Sequence, residues 1–191
     1  MTNFRLHKAM SWLESAEVHL VTVHGSHLYG LAHADSDDDL YTVADLSMTR
    51  AVQGVIGKDD STIVPLDAFM DACWRGQPKA LEALWSPHAT TSPMMAEFAR
   101  TFRVGTGTAQ DSFRRTREHL FRDGKVEVMK NRRHALRLAV QRRSIMERGR
   151  FNPELNAHTK SLLTRIATEY DTAETFIPVV HAWFDWASDV R

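Results

Sequence analysis

Between Val23 and Tyr41 the chain reads Val-His-Gly-Ser-His-Leu-Tyr-Gly-Leu-Ala-His-Ala-Asp-Ser-Asp-Asp-Asp-Leu-Tyr, nineteen residues that set a Gly-Ser turn ahead of an acidic cluster. Gly25 lets the backbone come close to a phosphate, and Ser26 adds a hydroxyl donor. Asp37 and Asp39 alternate along an extended chain, so both carboxylates project from one face and can grip hard cations that neutralise the same phosphates. Asp38 turns to the opposite face and, with Asp35, reads as a solvated or capping group. The chemistry this suggests is metal-dependent handling of a nucleoside triphosphate.

Two other phosphate or metal devices fail on spacing. A calcium loop starting at Asp35 would place Asp35, Asp37 and Asp39 correctly, but its sixth position is Leu40 rather than glycine and its twelfth is Leu46 rather than glutamate. Gly105-Thr106-Gly107-Thr108 lacks the Gly-Lys-Ser/Thr ending of a P-loop. His24, His27 and His33 have no clean zinc spacing, and hard Mg²⁺ favours oxygen over imidazole.

The elements that must position these residues follow from periodicity. Val18 to Val23 is rich in β-branched residues and predicts a strand that delivers Gly25-Ser26 at its C-terminal end. Residues 39–44 predict a second strand and 62–64 a third. Apolar spacing predicts helices over 4–17, 67–75, 78–85, 93–103, 110–122, 126–149, 154–168 and 173–188, punctuated by Gly124, Gly149 and Pro153. Trp183 and Trp186 are expected to be core positions of the last helix. The element pattern predicts the α/β class, with a strand-bearing lobe over residues 1–105, expected to hold a small mixed sheet, and a C-terminal helical bundle over 106–191 packed on it.

A chain of 191 residues with 43% hydrophobic content can bury a real core. The lone Cys73 excludes an intramolecular disulfide framework and fits a reducing cytoplasm. No stretch has the uninterrupted apolar run of a signal peptide or membrane span. Net charge is zero, yet residues 111–150 hold 13 Lys and Arg against 5 Asp and Glu, while residues 1–110 hold 8 against 13. An acidic lobe followed by a basic helical segment suits metals in one place and a polyanion in the other. Arg132, Arg133, Arg137, Arg142 and Arg143 are the candidates to meet triphosphate or nucleic-acid backbone, with Arg133 and Arg137 one helical turn apart. Glu82, in an apolar helical context, reads better as a buried structural acid than as a catalyst.

Gly25-Ser26, ten intervening residues, then Asp37-Asp38-Asp39 resembles the signature of the DNA polymerase β superfamily of nucleotidyltransferases. More narrowly, Gly25 to Ala32 with Ser36 to Asp39, the segment Gly76 to Leu84, and His134 to Leu138 followed by Gly149 resemble the predicted nucleotidyltransferase branch associated with RNA repair. That resemblance implies transfer of a nucleoside monophosphate from an NTP to a hydroxyl acceptor, RNA first among the candidates, with release of pyrophosphate. It also implies Mg²⁺ or Mn²⁺ as cofactor, bound by Asp37, Asp39 and a third carboxylate, Asp60 or its neighbour Asp59. Gly25 and Ser26 would hold the β and γ phosphates, joined by Arg133 and Arg137. A protein or small-molecule acceptor uses the same chemistry, and a nucleotide- or RNA-binding protein of the same fold without turnover is the competing reading.

Overall fold

The structure, a computed structural model, describes residues 13, 15–31, 39–48, 50–56 and 59–190. Two compact units emerge: one takes in the chain up to Trp74 and then Lys79–Phe102, the other Arg75–Pro78 and Arg103–Arg191. The class is α/β, with a mixed sheet followed by a helical C-terminal region.

The first unit is built on five strands: β1 (Val18–His24), β2 (Asp39–Ala44), β3 (Val52–Ile56), β4 (Asp59–Pro65) and β5 (Thr90–Thr91). They lie in the order β3-β4-β2-β1-β5. β1 runs antiparallel to β2 and β5, β3 antiparallel to β4, and β2 parallel to β4. Four helices belong to it: α1 (Gly25–Tyr29), α2 (Leu66–Trp74), α3 (Pro78–Leu84, within this unit from Lys79) and α4 (Pro93–Thr101). Ser92 caps α4 by accepting from the Met95 N–H at 3.3 Å, and Pro93 occupies the first turn where a missing N–H costs nothing.

Register explains where the core sits. Leu20 pairs with Val43 and Thr22 with Tyr41, while across the parallel ladder Tyr41 pairs with Thr62 and Val43 with Val64. Because side chains alternate with period two, Leu20, Val43 and Val64 form one row and Thr22, Tyr41 and Thr62 the next, all on the same face. Every one of these six is buried. Tyr41 meets Phe69 of α2 at 6.1 Å between ring centroids, which places α2 over that face. Ile63 looks the other way and packs with Leu13, Leu46, Met48 and Val52.

The strands at 18–23 and 39–44 form where the β-branched runs predict, and the third lengthens to seven residues, Asp59–Pro65. β3 was not foreseen, since Gly54 interrupts an already short pattern, nor was the two-residue β5. The opening helix predicted over 4–17 falls almost wholly outside the described residues.

The second unit is helical: α5 (Thr106–Phe121), a 3₁₀ segment (Arg122–Glu127), α6 (Met129–Arg148), α7 (Ala157–Glu169) and α8 (Ala173–Ser188). α6 begins later than its apolar spacing suggests because Gly124, at φ +64, lies in the 3₁₀ turn before it. It ends at Gly149, whose φ of +70 closes the helix in the left-handed region that glycine adopts freely. Ala135, Leu136, Leu138, Ala139 and Ile145 of α6 are fully buried. The tryptophans of α8 depart from expectation: Phe176, Val180, Phe184 and Ala187 take the buried stripe, which leaves Trp186 50% exposed and Trp183 half-buried. Among the described residues no helix is long and apolar enough to cross a membrane.

Candidate functional site

The buried rows of the sheet continue one step toward the end where β1 stops and β2 and β4 begin. There His24 pairs with Asp39, and Leu40 pairs with Ser61, so Asp60 stands beside Asp39 one residue earlier on each parallel strand. His24, Asp39 and Asp60 thus form a third row on the face that carries Tyr41 and Thr62. The same strand register that buries aliphatic side chains at one end sets two carboxylates side by side at the other.

Gly25 follows His24 and opens α1 at φ +66. A Cβ at this position would collide with Oδ2 of Asp39. Glycine is therefore required twice, by its backbone angle and by the carboxylate that lies against its α-carbon. Ser26 follows in the first turn of α1, where its carbonyl accepts from Leu31 at 2.9 Å, and Gly30 at φ +65 ends the helix. Asp37 lies outside the described residues, as do Asp35 and Asp38 and the side chain of Asp59.

A pocket of about 480 Å³ opens over this row, lined by His24, Asp39, Gln53, Asp60, Thr62 and Lys79 among others. Lys79, on α3, is exposed as a residue, yet its ammonium donates to Thr62 Oγ1 at 3.2 Å and sits 5.6 Å from the centre of the Tyr41 ring. Loss of water around the ammonium lowers its pKa from the ordinary 10.5, while Asp39, Glu82 and Asp60 pull in the opposite direction. Burial pushes the Tyr41 phenol well above its usual value, so it stays neutral beside them. The pocket therefore joins two carboxylates to one cation.

Behind the row lies a buried polar group. Glu82 is 2% exposed and accepts from the Tyr29 hydroxyl at 2.6 Å. His24 Nε2 approaches the same carboxylate to 3.4 Å without hydrogen-bond alignment, and its ring stands edge-on to Tyr29 at 6.1 Å. Glu82 acts as the structural acid its apolar context implies: it ties α3 to α1.

Arg133 and Arg137 belong to the second unit. Arg137 is 1% exposed, and the Nε of half-buried Arg133 is buried without a hydrogen-bond partner among the described residues. Arg132 is spent on carbonyls: it donates to Val126, Glu127, Ala167 and Asp171. Arg142 donates to the Phe184 carbonyl and Arg143 to those of Trp186 and Asp189. Three of the five candidate phosphate contacts are thus helix-end braces.

Lys79 is the site residue that sequence reasoning passed over. Its signal was the one cation on the short helix Pro78–Leu84, whose other charged residue is Glu82, inside a segment already singled out. Another cluster was also missed: Glu17, His19 and Asp45 bring one ligand atom each within 4.8 Å of one another, near the opposite end of β1. His19 is 4% exposed, with Nδ1 3.2 Å from Ser92 Oγ and Nε2 3.3 Å from Asp45 Oδ1.

A solved structure of a nucleotidyltransferase-like protein from Exiguobacterium sibiricum 255-15 is similar over 90% of this chain and 69% of that one, with 9% identity and a TM-score of 0.34. Similarity of that degree assigns no activity. No protein-family model matches the chain, and no curated protein does.

Proposed function

We propose that the chain is a metal-dependent nucleotidyltransferase that moves a nucleoside monophosphate from an NTP to a hydroxyl group, with RNA as the acceptor and pyrophosphate as the product. The observation that carries this reading is the placement of Asp39 and Asp60 in one row, at a pocket, with the Gly25-Ser26 turn pressed against Asp39. Two hard oxygen donors side by side suit Mg²⁺ or Mn²⁺. Asp39 and Asp60 would hold the ion, with Asp37 as the further ligand the motif supplies. Bound there, the metal would neutralise phosphate charge and favour ionisation of the attacking hydroxyl.

The remaining work falls to positioning. The absence of a Cβ at Gly25 lets the Asp39 carboxylate lie against the backbone at the start of α1, and the Ser26 hydroxyl beside it can donate to a phosphate oxygen. Lys79 supplies a positive charge in the same pocket as Asp39 and Asp60 and can meet the leaving phosphates. Glu82 and Tyr29 keep α1 and α3 in register with each other, so these groups are held before substrate arrives. The RNA acceptor is supported by the basic residues of 111–150 that stay exposed, Arg115, Arg122, Lys130, Arg148 and Arg150 among them.

The test is label transfer. Purified protein with Mg²⁺ or Mn²⁺ and α-labelled NTPs should label RNA, and Asp39→Asn or Asp60→Asn should reduce the label at least a hundredfold with circular dichroism unchanged. RNA binding without transfer across all four NTPs, or transfer indifferent to both substitutions, rejects the reading.

A further inference from the structure

The second unit carries a cationic pocket that the transfer chemistry does not use. It has a volume of about 740 Å³ and is lined by Arg103, Arg148, Arg150, Asn152, Asn156 and Thr159 among others. The three arginines gather around Gly149, the glycine that ends α6. Arg148 and Arg150 flank it in sequence. Arg103 is pinned beside it, because Val104 donates to the Gly149 carbonyl at 3.1 Å and a Cβ on Gly149 would come within 3.1 Å of the Arg103 stem. Glu154 is the one carboxylate in the lining. The thirteen-residue helix α7 starts at the same pocket, with its N-cap Asn156 in the wall, so the positive end of its dipole adds to the arginines.

A second, apolar hollow of about 450 Å³ shares Val140 and Thr159 with this pocket and is otherwise walled by Leu162, Ala182, Trp183 and Trp186. The two indoles meet edge to face at 5.9 Å, and the Arg143 guanidinium lies 5.2 Å from the Trp186 ring centre. This explains what burial alone did not: the tryptophans of α8 left the core stripe and line a hollow next to three arginines.

We propose that this double pocket binds single-stranded RNA, with phosphates on Arg103, Arg148 and Arg150 and a base in the hollow against Trp183 and Trp186. Guanidinium forks match phosphate oxygens, and a base offers a π-face to an indole whatever its identity. A protein segment would have to bring an acidic group and an apolar or aromatic side chain at the matching separation, whereas every nucleotide unit of a single strand carries a phosphate and a ring together. The proposal rests on the transfer reading only in naming RNA as the polyanion.

The experiment uses the full chain, a fluorescent single-stranded oligoribonucleotide of mixed sequence, and buffer with EDTA and no NTP, so that transfer plays no part. Binding is followed by anisotropy and by quenching of tryptophan fluorescence. Arg148→Gln with Arg150→Gln should weaken binding about tenfold or more and flatten the dependence on log salt by about 1.4, at roughly 0.7 for each phosphate no longer neutralised. Trp186→Leu should weaken binding about fivefold or more, while Trp186→Phe, which keeps a ring, should stay within about twofold of the parent. Loss of label transfer with these binding effects intact would reject the enzyme reading and leave this one standing. Equal binding of heparin with no effect of Trp186→Leu, equal competition by free AMP, or binding untouched by all three variants would overturn the proposal.

Discussion

Oδ2 of Asp39 occupies the space where a side chain on Gly25 would have to go. The end of one strand and the start of its neighbour are thereby locked together at the head of the pocket. Gly25→Ala should destabilise the protein by about 2 kcal/mol or more, combining the cost of a left-handed backbone with the collision. In an Asp39→Ala background the collision vanishes and only the backbone cost of about 1 kcal/mol remains. Urea unfolding of the four proteins measures the difference, and additive effects would mean the carboxylate does not press on this glycine.

Lys79 makes a prediction about pH. Its ammonium pKa is lowered from 10.5 chiefly by desolvation, so between the lowered value and 10.5 the unfolded chain binds more protons than the folded one. Stability should therefore rise with pH through that window, and the penalty should be fully present below it. Lys79→Met should abolish this rise and be no less stable than the parent at neutral pH. The same substitution should weaken apparent NTP affinity by about tenfold, the scale of removing one charge-assisted hydrogen bond. Thermal melts from pH 7 to 10 and NTP titrations check the two arms separately.

The sheet end that carries Asp39 and Asp60 was legible because alternation and β-branching report strand faces directly. Which strands are neighbours was not, since it is tertiary register that sets Asp60 beside Asp39. Lys79 was hidden for a related reason: nothing local shows that α3 folds its cation over Tyr41 and Thr62. The arginines misled in the other direction. A basic helix looks the same in sequence whether its guanidinium groups face a polyanion or, as at Arg132 and Arg142, close off carbonyls at helix ends. Trp183 and Trp186 were misplaced because apolar spacing on α8 fits two overlapping stripes, and the aromatic and aliphatic residues at 176, 180 and 184 won the core.

The contact between Tyr29 and Glu82 is short, at 2.6 Å, and buried. Tyr29→Phe keeps the ring but removes a donor from a carboxylate that is 2% exposed. The expected cost is about 1–3 kcal/mol by chemical denaturation. Because Glu82 links α3 to α1, label transfer should fall as well, even though neither residue lines the pocket. Unchanged stability would show that Glu82 replaces the missing donor without cost.

Arg132 should behave as a structural residue although it sits in the most basic stretch of the chain. Its Nε donates to the Ala167 carbonyl at 2.7 Å, and one terminal nitrogen serves Val126 at 3.0 Å and Glu127 and Asp171 at 2.8 Å. These carbonyls close the 3₁₀ segment and the end of α7, where helix geometry leaves acceptors without internal donors. Arg132→Met keeps the apolar stem but strands the acceptors, and should cost about 3–5 kcal/mol. Arg148→Gln, by contrast, should change stability by less than about 0.5 kcal/mol, as its group is largely exposed. If Arg132→Met were instead stable and defective only in RNA binding, its guanidinium would belong to the polyanion surface and not to the frame of the helical unit.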